Sequence, residues 1–191
     1  MYKFFAFLSR MKFIDRWSLM HSVKKENIME HSHQAAVLAH ALAVIGNAYF
    51  GKAYDVNLVA VTALFHESSE VLTGDLPSPI KYFNPEIKTA YKGLEAIACD
   101  KLLGMLPDEM RGEYEKVLQP DCSGYEYRLT KCADKLCAYI KCLEELKMSN
   151  NEFKKAKQSL EKELSALNSE EVNFFLKNFV EPFKLTLDEL D

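Results

Sequence analysis

In the stretch "LFHESSEVLTGDLPSP", residues 64–79, four titratable side chains (His66, Glu67, Glu70 and Asp75) sit among Leu64, Phe65, Val71 and Leu72. Titratable groups beside apolar ones are costly to bury unless each finds a partner. His66 and Glu67 are adjacent nitrogen and oxygen donors, and a metal ion is one cation that would satisfy both. Glu70 follows His66 at i, i+4, within reach for proton transfer chemistry. The plainer reading is a polar helix end closed by a His–Glu hydrogen bond.

Other candidates are scattered along the chain. His31 and His33 stand about 200° apart on a helix and cannot share one site. His31 falls on the apolar line Ala35, Leu38 and Leu42, whereas His33 leads to Val37 and His40. Taken alone, His31 reads as a capping or core histidine. Asp134 stands about 140° from the centre of its helix's apolar stripe. Periodicity therefore leaves it at the border or on the surface, paired with Lys131 or Lys141. Arg16 and Trp17 are an Arg–aromatic pair of the kind that holds a phosphate and stacks on a sugar or base, or simply packs at a helix end. Asp75, Leu76, Pro77 and Ser78 form a rigid turn that ends a helix or shapes a pocket wall.

Positioning these groups requires helices. Gly (7) and Pro (6) are few, and Leu, Ala, Lys and Glu are abundant, a composition that favours helix. Residues 2–14 read as a short amphipathic helix with Phe4, Leu8, Met11 and Ile14 in one stripe. Residues 30–49 are almost entirely apolar, as in a buried helix. Asp55 or Asn57 caps a helix running to about residue 72, which "GDLPSP" breaks. Further helices are expected over 85–104, 108–118, 151–167 and 169–180, with Pro182 ending the last. In "SGYEYRLTKCADKLCAYIKCLEEL", Leu129, Ala133, Leu136, Ile140 and Leu143 mark one helix face. No segment alternates with period two, so the chain reads as all-α, one domain and non-repeating.

At 191 residues and 48% hydrophobic, the chain is long enough for one real core and short for two. A net charge of −4 argues against a broad nucleic-acid surface. No run of 18 uncharged apolar residues suggests a membrane span, and charges interrupt the aromatic N-terminus before it can form a signal peptide. The five cysteines are odd in number and lack a CxxC pair, which suits reduced thiols in the cytoplasm. Cys132, Cys137 and Cys142 do not converge and read as packing residues. "KKAKQSLEKEL" is a solvated helix face.

In order, "EHS" at 30–32, "FHE" at 65–67 and "CADKLCAY" at 132–139 supply His, then His-acid, then Asp. That order resembles the HD-domain metal-dependent phosphohydrolases. The strings "RWSLM", "ENIMEHSHQAAVLAHALA", "HESSEVLTGDLPSPIKYFNPEI", "ADKLCAYIKCLEEL" and "NNEF" resemble the bacterial 5′-deoxynucleotidases of the YfbR type, and the similarity covers nearly the whole chain. The resemblance implies a single HD-type helical bundle over residues 1–191. It implies a divalent cation (Co, Mn, Zn, Mg or similar) on His31, His66, Glu67 and Asp134, with Glu70 and Arg16 serving catalysis. Arg16, Trp17, Glu67, Asp75, Leu76, Pro77, Ser78 and Asp134 would contact a deoxyribonucleoside 5′-monophosphate. It further implies a cytoplasmic homodimer with no nucleic-acid or membrane partner.

The chain departs from this pattern at Glu67, where the family carries Asp. The extra methylene adds roughly 1.5 Å of reach, whereas ligand distances in good sites hold within about 0.2 Å. Either the backbone retreats, or the metal shifts, or affinity and turnover fall. Two other functions compete: an HD-type hydrolase of another nucleotide, and a nucleotide-binding helical module whose metal site is lost at Glu67. Only Arg16 and Lys81 are evident cations for the pocket, which favours a monophosphate over a polyphosphate.

Overall fold

Short polar side chains start most of the long helices. Asn27 accepts from the amides of Met29 and Glu30, and Asp55 from those of Asn57 and Leu58; Asn84 and Ser169 do the same for Ile87 and Val172. Each satisfies amides that the first turn leaves without partners. The resulting computed structural model describes all 191 residues and contains only helices, turns and one isolated bridge between Asp15 and Asn27. The helices are α1 (Phe4–Leu8), α2 (Ile28–Tyr49), α3 (Val56–Phe65), α4 (Glu70–Thr73), α5 (Ser78–Lys81), α6 (Pro85–Leu103), α7 (Asp108–Leu118), α8 (Tyr125–Lys147), α9 (Lys154–Ala166) and α10 (Glu170–Phe179). None is long and apolar enough to cross a membrane.

α2, α3 and α8 pack against one another at the centre, with α9 on α8 and α10 on α2. The expected stripes face this core: Ala35, Leu38 and Leu42 from α2, and Leu129, Ala133, Leu136, Ile140 and Leu143 from α8. Cys132 and Cys137 pack with them, and Cys142 is equally buried. A smaller cluster gathers Phe4, Cys99, Leu102, Leu103, Leu106 and Leu118 from α1, α6, α7 and the turn between the last two. α2 is less enclosed than its composition suggests: Val37 and Val44 remain exposed on the side of His33 and His40.

Two expected helices are interrupted. The first is α-helical only to Leu8 and tightens into a 3-10 turn over Ser9–Phe13, leaving Ile14 outside it. The helix expected to reach residue 72 stops at Phe65, and residues 66–69 form successive three-residue turns before α4. The His66 ring is the cause. Its Nδ1 lies 2.6 Å from the carbonyl of Ala63, the oxygen that a continuing α-helix would give to the amide of Glu67.

Residues 14–27 form a long loop joining the N-terminal turns to α2. Its ends are pinched together, with Arg16 N donating to Glu26 O and Ile28 N to Ile14 O. Its tip is tied to the far end of α8. Buried Glu145 accepts from Val23 N (2.8 Å), Lys24 N (3.2 Å) and Lys141 Nζ (2.6 Å). Asn150 Nδ2 also reaches this carboxylate at 2.8 Å. Burial alone raises the Glu145 pKa, but the donors from Lys141, Val23, Asn150 and Lys24 outweigh it and hold the group at about 2.

A depressed carboxylate pKa contributes stability above the unfolded value, about 4.3, and the contribution is lost as pH falls through the folded value. Glu145→Gln should therefore cost about 3 kcal/mol near neutral pH by leaving Lys141 buried without its counter-charge. In urea unfolding series, the gap between wild type and variant should close between about pH 4.3 and pH 2.

Candidate metal centre

Three parts of the fold bring four ligand atoms together. α2 presents His31 from its first turn, fully buried. The turn after α3 presents His66 and Glu67 side by side, and α8 presents Asp134 from its middle. His31 Nε2 lies 3.3 Å from His66 Nε2 and 3.2 Å from Asp134 Oδ1, and Glu67 Oε1 lies 3.0 Å from His66 Nε2. All four atoms fall within 4.8 Å of one another.

The donor set fits a divalent ion. The Ala63 carbonyl can only accept, so His66 Nδ1 carries a proton and Nε2 is the ring nitrogen that faces the cluster. It stands 3.0 Å from the carboxylate oxygen of Glu67, a nitrogen and an oxygen donor at the spacing that a shared cation bridges. Ligands bound at about 2.1 Å and at right angles stand about 3.0 Å apart, close to the spacings found here. Glu26 Oε1 is the carboxylate nearest the other ring nitrogen of His31, 3.7 Å from Nδ1 and beyond hydrogen-bond distance. Glu67 extends from the turn at residues 66–69, and its oxygen reaches the cluster.

Charges around the cluster are strongly coupled. Arg16 faces three carboxylates at 3.7–4.0 Å: Glu26, Glu67 and Asp134. Burial works to lower the Arg16 pKa, but Asp134, Glu67, Glu26 and Asp75 raise it, so the guanidinium stays charged. Burial pushes Asp134 up, yet the His31 hydrogen bond, with Lys131 and Arg16, holds it well below the carboxylate range. Burial and Arg16 depress His31, and Asp134, Cys137 and Glu26 more than reverse this. Glu70 is buried, and desolvation followed by the neighbouring Glu67 pushes its carboxyl up to about 11. Glu67 itself is lowered, with the cost of burial overcome chiefly by His66 and then by Glu70. The pair thus divides into a charged Glu67 and a protonated Glu70.

The residues singled out in sequence mostly converge. His31, His66, Glu67, Asp134, Arg16 and Glu70 meet at the centre. Asp134 does sit at the border of α8, but its partner is His31 rather than Lys141, which turns instead to Glu145. His66 and Glu70 do not form the expected i, i+4 helical pair, because the helix breaks between them; Glu70 pairs with Glu67. Trp17 adopts a left-handed backbone (φ 59°), donates Nε1–H to Glu26 Oε2 at 3.0 Å and lays its ring on Phe153. Asp75, Leu76 and Pro77 form a half-buried loop after Gly74 (φ 73°), and Ser78 opens α5 on the surface. Burial raises Asp75, while Arg16 and Lys81 pull it down.

Glu26 was not anticipated. It touches Arg16, Trp17 and His31 at once. Its one signal in the sequence is that it opens the string "ENIMEHS". Lys131, one of the two lysines expected beside Asp134, does stand near it and near Glu67.

The profile of the YfbR-like 5′-deoxynucleotidases matches residues 3–183. The chain belongs to this family. A YfbR-like relative, the 5′-deoxynucleotidase of Vibrio cholerae, is 51% identical over 192 residues, covering 98% of this chain and 97% of its own. The 5′-deoxynucleotidase YfbR of Salmonella arizonae is 50% identical, covering 98% and 94%. Among solved structures, an HD-domain phosphohydrolase from Listeria innocua superposes with a TM-score of 0.81 at 20% identity, covering 95% of this chain and 88% of that one. A cyanophage S-2L HD phosphohydrolase bound to dA and one catalytic Zn2+ ion superposes at 0.66 with 19% identity, over 92% and 95%. This chain therefore has the HD-domain fold, and its four-donor cluster lies where α2, α3 and α8 meet.

Removing one donor should disable the cluster. Asp134→Ala and His66→Ala should each weaken Mn2+ or Co2+ binding by roughly 100-fold or more, beyond the 10- to 100-fold typical of residues that only support a ligand. Isothermal titration of chelator-treated protein measures this directly.

Proposed function

We infer that the protein is a metal-dependent phosphomonoesterase that hydrolyses deoxyribonucleoside 5′-monophosphates to deoxynucleosides and phosphate. The observation that carries this is the convergence of four donor atoms beside Arg16 in a chain of the YfbR-like family. His31, His66, Glu67 and Asp134 hold the cation. When bound, a divalent cation there supplies Lewis acidity that draws charge from a phosphoryl oxygen and makes water acidic enough to attack near neutral pH.

The remaining steps belong to the chain's own groups. Arg16 binds the phosphoryl oxygens and takes up charge that develops in the transition state, since phosphoryl transfer depends mainly on positioning and electrostatics. Its Nε is buried and has no hydrogen-bond partner within the protein, so a donor remains for the phosphate. Glu70 orients the attacking water or hands a proton to the leaving 5′ oxygen. Its buried and unpartnered Oε2 supports that placement. The loop of Asp75, Leu76, Pro77 and Ser78 contacts the sugar and base and favours deoxyribose, and Trp17, next to Arg16 in the chain, adds a further contact to the nucleotide. Arg16 and Lys131 supply the positive charge near the cluster, and Lys81 is engaged by Glu95 at 2.7 Å, a balance that suits one phosphate. We place the enzyme in the cytoplasm, where its five free thiols stay reduced, as a homodimer whose mass sedimentation would give.

The test is phosphate release from a panel of deoxy- and ribonucleoside monophosphates with added Mn2+ or Co2+. Deoxyribonucleotides should be preferred by about tenfold or more, chelator should abolish release, and Arg16→Ala should lower kcat/KM by about 100- to 1000-fold. Equal rates on ribonucleotides would remove the sugar specificity. No release from wild type, with activity appearing in Glu67→Asp, would identify a site disabled by the longer carboxylate.

A further inference from the structure

Arg16 makes no close contact that would fix its guanidinium. Its three carboxylate neighbours stand at 3.7–4.0 Å, beyond hydrogen-bond distance. Its location is therefore set by its backbone, and that backbone belongs to the loop of residues 14–27. Within the loop tip, the only internal backbone hydrogen bond runs from Met20 N to Trp17 O. Lys25 Nζ donates to Asp15 Oδ2 and Trp17 Nε1 to Glu26 Oε2 within the loop, and the tip is otherwise held from the C-terminal end of α8 and the segment after it. Glu145 receives the amides of Val23 and Lys24. Lys141 Nζ donates to Lys24 O at 2.5 Å. Asn150 Nδ2 donates to His21 O at 2.7 Å. Phe153 supports the Trp17 ring, with centroids 5.3 Å apart.

We propose that Lys141, Glu145 and Asn150 are positioning residues for the hydrolysis: they anchor the loop tip and so set where Arg16 and Glu26 stand beside the metal centre. Lys141 and Glu145 are side chains of 5% and 0% exposure, so their ion pair and its amide contacts are shielded from water and form a stiff anchor. A left-handed Trp is a strained conformation that persists only where its surroundings over-determine it. Trp17 sits between Arg16 and this anchor, bound to Glu26 on one side and Phe153 on the other. None of the three positioning side chains is among the atoms that converge on the metal centre. Their effect reaches the substrate through Arg16, and the proposal therefore rests on Arg16 as the phosphate-holding residue.

Trp17 is the only tryptophan, so its fluorescence reports the loop independently of turnover. The experiment compares wild type, Asn150→Ala, Glu145→Gln, Arg16→Ala and the Asn150→Ala/Arg16→Ala double variant, each as the full chain. Asn150 is the milder change and covers the case in which Glu145→Gln fails to fold. The expected result is unchanged far-ultraviolet circular dichroism and Mn2+ affinity within about twofold for Asn150→Ala, since no metal donor is altered. Acrylamide quenching of Trp17 should rise, and kcat/KM for deoxyadenosine 5′-monophosphate should fall about tenfold. In the Arg16→Ala background the same substitution should have almost no further effect, because residues that act through one another are not additive. A tenfold loss that persists in the Arg16→Ala background would overturn the proposal, as would a released Trp17 with unchanged kcat/KM. A wild-type protein that hydrolyses no nucleotide, or an Arg16→Ala variant with full activity, overturns it by a different route. There the functional reading has failed, and wild type or Arg16→Ala alone reveals it.

Discussion

The centre depends on the contact between the His66 ring and the Glu67 carboxylate. His66 commits one ring nitrogen to the Ala63 carbonyl and aims the other at the Glu67 carboxylate 3.0 Å away. A positive charge, whether a proton on the ring or a metal ion, is what holds that pair together. His31 and Asp134 complete the same confined space, and Arg16, Glu26 and Glu70 are arranged around it. The fold invests in holding this arrangement: a helix is broken to form it, two carboxylates divide one proton, and an arginine is kept within reach of three acids without closing on any. Such concentrations of perturbed titratable groups mark sites of chemistry more often than sites of stability.

The same ring that supplies a ligand also shapes the backbone. Had α3 continued, His66 and Glu67 would point about 100° apart and could not both reach one ion. The captured carbonyl ends the helix and the tight turns that follow swing both side chains inward. Glu67 thus enters the cluster from irregular backbone between α3 and α4, whereas Asp134 enters it from the middle of a regular helix.

Much of this was legible in the sequence, and what was hidden shares one cause. The stripes of α2 and α8 follow from periodicity alone, and His31 lies on the first of them. Asp55 caps α3 as its residue type suggests. The break at His66 was not legible, because helical propensity does not register a ring taking a carbonyl. Nor was the partner of Asp134: His31 is distant in sequence, and nearby lysines were the natural alternative. Glu26 was invisible for the same reason, since it acquires meaning only where a loop folds back across three other side chains. Lys141 and Glu145 look like an ordinary i, i+4 surface pair, yet they are buried because the loop of residues 14–27 lies over them. Long-range contacts decide all of these.

One consequence follows from the span of α8. Asp134 and Glu145 lie eleven residues apart on a single uninterrupted helix, a separation of about 16 Å along its axis. A donor of the cluster and the tether of the arginine loop are thus mounted on one rod. The distance between the cluster and the guanidinium is set along a single helix rather than summed across the packing of several.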